Sequence, residues 1–464
     1  MSYQDFIARK LADWKPVGFD YDGAFDGLYP HQDALVRWAI RLGRAAIFAD
    51  TGLGKTRMQV EWADVVSRHA NGSILILAPL AVAEQTVEES ARIGIRVTHV
   101  RDGSDIDQSE GCGIFITNYE RLHLFDASAF IGVVLDESSI IKHHDAKTLQ
   151  TLLDAFIDTP YRLCATATPA PNDWTELGTH AEFLGICTRS EMLSEYFVHD
   201  GGETQVWRLK GHARQAFWRW VSSWGAMIRS PADLGFDATA YELPPLIVNQ
   251  VTVGTSAQAA EGMLFALEAS SLSDRRQARK DSLAQRVAAC AEQANATDGA
   301  WIIWCELNAE ADALREAIPG AVEIRGSDPA HKKEKALHDF AHGAIRVLIT
   351  KPKIAGFGLN WQHCRNVAFV GVTDSFEAYY QAVRRCWRFG QTMPVNVWVY
   401  ASELEGSVVA NLRRKERDAL AMFEQLSAET KDAVRAAVIG SRRESNEYNA
   451  AHRVRIPQFL EAAH

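Results

Sequence analysis

The chain has 464 residues, of which 47% are hydrophobic and 23% are charged, and its formal net charge at pH 7 is -10. At roughly 100–200 residues per domain, this length predicts two to four domains. The composition excludes a largely disordered chain, a collagen-like fibre and a coiled-coil rod. The acidic balance argues against a general polyanion binder and confines any nucleic-acid contact to a local basic groove.

The sequence also predicts a protein of the cytoplasm. No apolar run reaches the ~18 residues that a transmembrane helix needs. The first 20 residues carry charges where a signal peptide needs an apolar stretch. The seven cysteines are scattered and form no CxxC pair, so neither a disulfide framework nor a zinc site is predicted.

Short apolar runs alternate with helical patterns in the first part of the chain and again in the last part. Each run is followed by a turn and a helix-like stretch, which indicates repeated βαβ units and a mostly parallel sheet. The predicted strands are AAIFA (45–49), ILILA (74–78), IFIT (114–117), VVL (133–135), RLCAT (162–166), WIIWC (301–305), VEIR (322–325), RVLIT (346–350), VAFVG (367–371) and VNVWVY (395–400).

The alternation pauses at 186–245, which is rich in Trp and Phe and is predicted to be a mainly helical insertion. Within it, Phe217, Trp220, Val221 and Trp224 lie at i, i+3, i+4 and i+7, which is one stripe of a helix. We favour core packing over base stacking for this stripe. The predicted domains are 1–185 (first α/β lobe), 186–245 (insertion and linker), 246–445 (second lobe) and 446–464 (tail).

A phosphate-binding pattern follows the first predicted strand. The chain there reads ADTGLGKT (49–56), the Walker A pattern, and continues into a helix-like stretch. Gly52 and Gly54 let the backbone curl so that its N–H groups face a phosphate, and the helix beginning near Lys55 adds its positive end. Lys55 is expected to neutralise phosphate charge and Thr56 to ligate Mg²⁺.

Two adjacent carboxylates end another predicted strand, in the run IGVVLDESS. Consecutive strand residues point to opposite sides, so Asp136 and Glu137 can serve two functions. We expect Asp136 to hold Mg²⁺ through its water shell and Glu137 to polarise an attacking water. Together with the phosphate-binding pattern upstream, this pair predicts a site for nucleotide hydrolysis.

Further motifs occur in an order that resembles superfamily 2 helicases and translocases, specifically their Swi/Snf branch. The most specific is QAVRRCWRFGQ (381–391), which is similar to the branch's pattern QAxxRxxRxGQ and aligns Arg385 and Arg388 with its arginines, while Arg384 falls in a variable position. The other matching segments within residues 28–400 are LYPHQDALVRWAI, ADTGLGKT, LILAPLAVAEQT, ITNYE, DESSIIK, LCATATPAPND and KPKIAGFGLNW.

This resemblance implies an α/β fold of two RecA-like parallel-sheet lobes (a P-loop NTPase) with an inserted helical subdomain. It also implies ATP and Mg²⁺ as cofactors and DNA as the partner. Arg385 and Arg388 would reach the γ-phosphate from the second lobe, because a guanidinium stays charged and can bond two oxygens at once. The compact chain and its DESS box look most like phage- or prophage-encoded members, which places it in a bacterial or phage-infected host cell.

The resemblance also assigns roles to single residues. Gln32 would read the adenine edge. The other implied nucleotide contacts are Thr51, Gly52, Gly54, Lys55, Thr56 and Gly358, with Thr56 and Asp136 at the metal. The implied contacts to the nucleic-acid backbone are Pro79, Leu80, Thr117, Asn118, Gly356 and Asn360. The residues implied to couple the two sites are Thr166, Thr168 and Gln381.

Two basic clusters are candidates for a DNA groove, although each can also be a plain solvated helix face. They are Arg275, Arg276, Arg279 and Lys280, and Arg413, Arg414, Lys415 and Arg417. Three functions stay open: a translocase on duplex DNA, which the motif at 381–391 favours, a strand-separating DNA helicase, and a non-catalytic ATP-binding scaffold for replication or defence proteins. RNA is a less expected track, because the motifs are unlike those of the DEAD-box branch.

Overall fold

The structure is a computed structural model in which two parallel α/β lobes follow one another along the chain. It describes residues 15–79, 82–106, 112–142, 146–170, 173–199, 207–254, 279–355, 360–371, 376–403, 414 and 431–439. The predicted fold class, two parallel-sheet lobes of the RecA type, is confirmed.

Seven parallel strands form the sheet of the first lobe, in the order β3-β4-β2-β5-β6-β1-β9. Most of these strands are buried continuous apolar runs, as expected when helices cover both faces of a parallel sheet. Their bounds are β1 Arg44–Ala49, β2 Ser73–Ala78, β3 Val97–His99, β4 Ile114–Asn118, β5 Phe130–Asp136, β6 Tyr161–Ala165 and β9 Gly225–Ile228.

The α-helices of this lobe are α1 Pro30–Leu42, α2 Lys55–Ala70, α3 Ala83–Arg92, α4 Lys147–Phe156, α5 Leu177–Phe183, α6 Arg189–Tyr196 and α7 Arg214–Ser222. Short 3-10 helices lie at Gly103–Asp105, Tyr119–Leu124, Ala127–Ala129, Ser138–Ile141, Trp174–Glu176, Gly211–Ala213, Pro231–Leu234 and Thr239–Tyr241. A two-stranded antiparallel hairpin, β7 Phe197–His199 with β8 Trp207–Leu209, completes it.

The segment predicted as a mainly helical insertion also contributes to the first sheet. Its strand β9 pairs in parallel with β1, with Ala46 opposite Gly225 and Ala49 opposite Ile228. A four-residue apolar run is too short to show a strand pattern in sequence, and the strand forms because the edge of β1 offers it unpaired backbone groups. The domain limits at 185, 245 and 445 stay predictions.

The aromatic stripe of α7 packs in the core of the first lobe, as predicted. Phe217, Val221 and Trp224 are fully buried, and the half-buried Trp220 packs against the same hydrophobic cluster. The rings of Trp220 and Trp224 lie 5.3 Å apart between centroids. The stripe therefore holds α7 against the sheet and is not an exposed stacking platform.

Six parallel strands form the second sheet, in the order β10-β15-β14-β11-β13-β12. The strands are β10 Leu246–Val253, β11 Trp301–Trp304, β12 Val322–Glu323, β13 Val347–Thr350, β14 Asn366–Phe369 and β15 Val395–Ser402. The helices are α8 Leu283–Asn295, α9 Asn308–Ala317, α10 Ala330–Ala341, α11 Pro352–Ala355 and α12 Phe376–Val383. Helical residues 431–439 return to the first lobe, where Val434 and Val438 join the cluster that contains Leu234.

A buried ion pair fixes the helices of the second lobe. Arg286 of α8 donates through Nη1 to Glu310 Oε1 of α9 at 2.7 Å, and both side chains are essentially unexposed. The other carboxylate oxygen accepts the N–H groups of Glu306 and Leu307, each at 2.9 Å, and so caps α9. Arg286 also donates to the carbonyl of Val370, just after β14. One pair therefore joins two helices and a strand end.

No helix among the described residues is both long and apolar enough to span a lipid bilayer. All seven cysteines are free thiols, and five of them are buried.

Replacing Arg286 with methionine is expected to destabilise the second lobe by about 3–5 kcal/mol, because the buried Glu310 would lose the guanidinium that pairs with it. Urea unfolding followed by tryptophan fluorescence measures this loss, since Trp301 and Trp304 lie inside the lobe. Lys335→Ala, which breaks an ion pair whose lysine is 74% exposed, is the matched control and should cost under about 1 kcal/mol. Equal losses for the two variants would show that the buried pair does not hold the lobe together.

Candidate nucleotide site between the two lobes

The phosphate loop (residues 49–56) has the backbone that its glycines predicted. Gly52 and Gly54 have φ angles of 93° and 82°, in the left-handed region that favours glycine. Gly54 is the N-cap of α2, so the positive end of that helix opens onto the loop. Lys55, the first residue of α2, donates from Nζ to the carbonyls of Ala49 at 2.9 Å and Asp50 at 3.5 Å.

Two features of the loop fit a phosphate ligand. Desolvation lowers the pKa of Lys55, although the nearby charges of Glu137, Asp50 and Asp136 oppose that shift. The hydroxyl of Thr51 is buried and has no hydrogen-bond partner among the described residues. Buried polar atoms are normally hydrogen-bonded, so this loop is built for an acceptor that a bound ligand supplies.

The two carboxylates at the end of β5 form what we call the DE turn (Asp136 and Glu137). Burial, reinforced by Glu137, raises the pKa of Asp136, whose Oδ1 accepts a 2.7 Å hydrogen bond from Gln59 Nε2. Two close buried carboxylates resist charging together unless a cation is present. The half-buried Thr56 lies on α2, the same helix whose Gln59 bonds Asp136. A hydroxyl and two carboxylates form a donor set that fits Mg²⁺, which also takes phosphate oxygens and water.

Glu137 has an unusual backbone, with φ 52° and ψ 52°. Among the described residues it shares a positive φ with one other non-glycine residue, Asn71. Such a conformation costs about 1–3 kcal/mol and persists only where the surroundings enforce it. Here Thr166 Oγ1 donates to Glu137 Oε2 at 3.3 Å, and the N–H of Thr168 donates to Thr166 Oγ1 at 3.1 Å. The two predicted coupling threonines therefore lie directly behind the DE turn.

The next residue, Ser138, is held by a histidine that the sequence did not single out. Ser138 Oγ lies 3.1 Å from Nε2 of His180, a fully buried residue of α5. Burial lowers the pKa of His180 to about 4, so the ring is neutral at pH 7. His180 is 42 residues further along the chain and lies in no motif, and only the tertiary fold brings it to the DE turn.

The arginines of the second lobe approach these carboxylates. Arg385 is buried and donates from Nε to the Gln381 carbonyl at 3.0 Å and from Nη2 to Gln381 Oε1 at 2.8 Å. Burial lowers the pKa of Arg385 to about 10, and the charges of Glu137 and Asp136 oppose that shift. Desolvation and Arg385 lower the pKa of Arg388 to about 9, against the charges of Glu89 and Glu137.

Arg384, in the variable position of the motif, makes the most direct contact between the lobes. Its Nη2 lies 2.8 Å from Asp50 Oδ2 and donates to the Thr51 carbonyl at 3.0 Å. Tyr380, one helical turn earlier, donates its hydroxyl to Asp50 Oδ1 at 3.0 Å. Phe389 also packs on the loop, because a Cβ added at Gly52 would meet its backbone nitrogen at 3.0 Å.

Gln32 lies against the other side of the phosphate loop. Its Nε2 donates to the Leu53 carbonyl at 3.0 Å, and its Oε1 accepts the N–H of Tyr29 at 3.1 Å, which caps α1. Beside it, Nε2 of His31 is buried without a partner among the described residues. Four aromatic rings from three segments of the chain pack together beside Gln32. They are Tyr29, His31, Tyr241 and Phe389.

The residues predicted to contact nucleic acid are only partly described. Thr117 and Asn118 end β4 and are buried, beside the end of β2, after which the half-buried Pro79 follows. Asn360 lies in the second lobe and donates to Glu89 Oε1 of the first lobe at 3.2 Å. Arg279 is buried, and its carbonyl accepts a bond from Arg286. The residues outside the described part of the chain are Leu80, Gly356, Gly358, Arg275, Arg276, Arg413, Lys415 and Arg417.

A phosphate loop and a DE turn in one parallel α/β lobe, met by arginines from a second such lobe, define the two-lobed class of superfamily 2 proteins. The chain belongs to the Snf2-type branch of that superfamily. Its residues 31–222 match the family model for the SNF2-related domain, and residues 283–390 match the model for the helicase conserved C-terminal domain. These two matches cover well over half of the chain.

A similarity to a curated protein is more limited in extent. The chain is 31% identical over 101 residues to the bifunctional helicase and thymine dioxygenase JBP2 of Leishmania braziliensis. The matched stretch covers 22% of this chain and 9% of that relative, so the chain spans only a small part of that relative's length. The resemblance to phage-encoded members stays a prediction.

The low pKa of His180 predicts a specific loss of stability in acid. Its folded-state pKa of about 4 lies below the ordinary 6.5, so the unfolded chain takes up a proton first as the pH falls through 6.5. Between pH 7 and pH 5 this should remove about 2 kcal/mol, and above about pH 7.5 almost nothing.

Urea unfolding of the parent and of His180→Asn at both pH values measures the difference. The variant should lose about 2 kcal/mol less than the parent between pH 7 and pH 5, whatever its starting stability. His123→Asn, at an exposed position, is the control and should follow the parent. If His180→Asn lost as much stability in acid as the parent, the ring would not be a buried neutral group.

Proposed function

We propose that this Snf2-type chain hydrolyses ATP with Mg²⁺ between its lobes and uses the reaction to translocate on duplex DNA. The observation that carries the proposal is the convergence of Lys55, the DE turn and the arginines of 381–391 on one cleft. Each of these groups has a charge that suits one part of a magnesium–triphosphate. The family membership supports a motor, and the hydrolysis and the track are our inference.

The chain's own groups account for the reaction by position and charge. The N–H groups of the phosphate loop and Lys55 would cradle the β- and γ-phosphates, while Thr56 and Asp136 would hold Mg²⁺. Bound Mg²⁺ would supply further neutralisation of the phosphate charge. Glu137, held by Thr166, would orient the attacking water. Arg385 and Arg388 would stabilise the charge that develops on the transferred phosphoryl group.

The base end of the nucleotide would lie near Gln32. That side chain is already fixed to the loop and to the N-cap of α1, so it is preorganised to present its amide. The unpartnered Nε2 of His31 and the surrounding aromatic rings supply a polar contact and flat apolar faces, which suit a purine. Gly358 stays a predicted contact of the second lobe.

The proposed DNA track runs over the strand ends of the first lobe and onto the second. Pro79 lies half-buried at a strand end, where backbone groups can contact a phosphate chain without reading sequence. Thr117 and Asn118 end the adjacent strand and are buried, so they would support this part of the track from beneath. Asn360, which bonds Glu89 across the cleft, would provide the contact of the second lobe with the DNA backbone. Alternate closing and opening of the lobes would move one set of contacts relative to the other.

Strand separation is the second candidate, and the antiparallel hairpin of β7 and β8 favours it. The hairpin pairs with neither large sheet, and although Phe197 anchors it in the core of the first lobe, Val198 on it is exposed. An element of this kind could act as a pin between strands. A forked duplex with a labelled strand distinguishes the candidates, because a translocase would leave the fork paired while hydrolysing ATP.

Replacing Lys55 with alanine is expected to reduce ATP turnover by at least about a hundredfold, because the phosphate charge loses its neutralising ammonium. Circular dichroism and urea unfolding should stay close to the parent, since the half-buried lysine bonds only two carbonyls. Lys332→Ala on the surface of α10 is the control and should keep full turnover. DNA-stimulated turnover that survived in Lys55→Ala would show that the phosphate site lies elsewhere.

The track is tested by titrating ATP turnover of the parent with single-stranded DNA, duplex DNA and RNA. We expect duplex DNA to stimulate turnover most and RNA least. Stimulation should fall as salt rises, because backbone contacts release counterions. Turnover that none of the three changes would contradict a nucleic-acid track, and analogue binding with no turnover at all would favour the non-catalytic scaffold.

A further inference from the structure

A negative charge lies inside the loop that is proposed to receive the triphosphate. Asp50 is the second residue of the phosphate loop, and its Oδ1 accepts the N–H of Thr51 at 2.6 Å, which fixes the carboxylate within the loop. The charge of Asp50 acts to raise the pKa of the Lys55 ammonium. Like charges at short range repel strongly away from bulk water, so a bare Asp50 opposes the binding of a polyphosphate.

The second lobe supplies a positive charge that neutralises Asp50. Arg384 forms the ion pair with Asp50 and bonds the Thr51 carbonyl, and only 5% of its side chain is exposed. Tyr380 donates to the remaining carboxylate oxygen. The guanidinium also lies 5.5 Å from the ring centre of Tyr380 and 5.1 Å from that of Trp387, which holds it in one position. Salt screens a pair buried to this extent only weakly.

We propose that Arg384 is a positioning residue that neutralises Asp50, so that the phosphate loop binds a nucleotide triphosphate well only when the second lobe is docked on it. Asp50 and Arg384, with Tyr380, form what we call the interlobe latch. The inference rests on the proposed nucleotide function. It adds that nucleotide affinity is set by the position of the second lobe, through the charge of one loop residue.

The latch also links docking to the arginines that face the DE turn. Arg384 and Arg385 are neighbours just after α12, yet Arg384 bonds the start of the phosphate loop while Arg385 lies within range of Glu137 and Asp136. The same turn carries both side chains. Formation of the latch therefore delivers Arg385 to the cleft in the same movement, and its rupture withdraws both charges together.

A double-mutant cycle tests the latch with the parent, Arg384→Gln, Asp50→Asn and the double variant. The first readout is the dissociation constant for a fluorescent, non-hydrolysable ATP analogue with Mg²⁺. Arg384→Gln should weaken binding about tenfold to hundredfold, because it leaves Asp50 uncompensated. In the Asp50→Asn background the same change should weaken binding less than about threefold, since no charge then needs neutralising. Arg384→Lys should recover part of the loss, and Arg315→Gln on the exposed surface of α9 should have no effect.

The second readout needs no nucleotide. Dyes at Lys147→Cys and Lys335→Cys, one exposed position in each lobe, report the interlobe distance by energy transfer once the exposed Cys112 and the half-buried Cys187 are changed to serine. Arg384→Gln, Asp50→Asn and, to a smaller degree, Tyr380→Phe should lower transfer in the nucleotide-free protein.

Equal loss of analogue binding in both Asp50 backgrounds, or unchanged transfer in Arg384→Gln, would overturn the proposal. A parent that binds no analogue would refute the proposed nucleotide function, while the transfer experiment would still decide whether the latch holds the lobes together.

Discussion

The site depends on the meeting of opposite charges from two lobes in a desolvated cleft. Lys55 and the carboxylates Asp136 and Glu137 belong to the first lobe, and Arg385 and Arg388 to the second. Desolvation lowers the pKa of all three cations, so each is costly to place there alone. The neighbouring carboxylates oppose these shifts, and the arrangement is therefore favourable only as a set.

The DE turn is the most constrained part of this arrangement. Its strained residue, Glu137, is supported by Thr166, and the next residue is fixed by His180. Tyr119, from the segment ITNYE at the end of β4, donates its hydroxyl to the Asp136 carbonyl at 2.7 Å. Three separate elements thus fix a single turn, and such a network can hold a conformation that the backbone does not favour. The same contacts connect the carboxylates to the strand ends proposed as the DNA track.

The sequence predicted those parts of the fold and site that arise from local pattern. The ten predicted strands are present because buried parallel strands are continuous apolar runs. Strand β3 and strand β9 were missed because three or four residues show no period. Strand β10 was missed because, at the sheet edge, it is not the continuous buried apolar run that the other predictions relied on. His180 and Arg384 were missed for another reason: their partners are 42 and 334 residues away (Ser138 and Asp50), and no local pattern encodes such contacts.

The contacts between the lobes differ in kind from those within them. Hydrophobic clusters belong to one lobe or the other, apart from helical residues 431–439, which join the first. Across the cleft there are polar contacts, as between Arg384 and Asp50 or Asn360 and Glu89, and one small aromatic contact, where Phe389 meets Tyr29 and Tyr241. Water can replace polar contacts at small net cost, whereas exposing a core cannot be offset in this way. The lobes can therefore separate and meet again without unfolding, as the proposed motor requires.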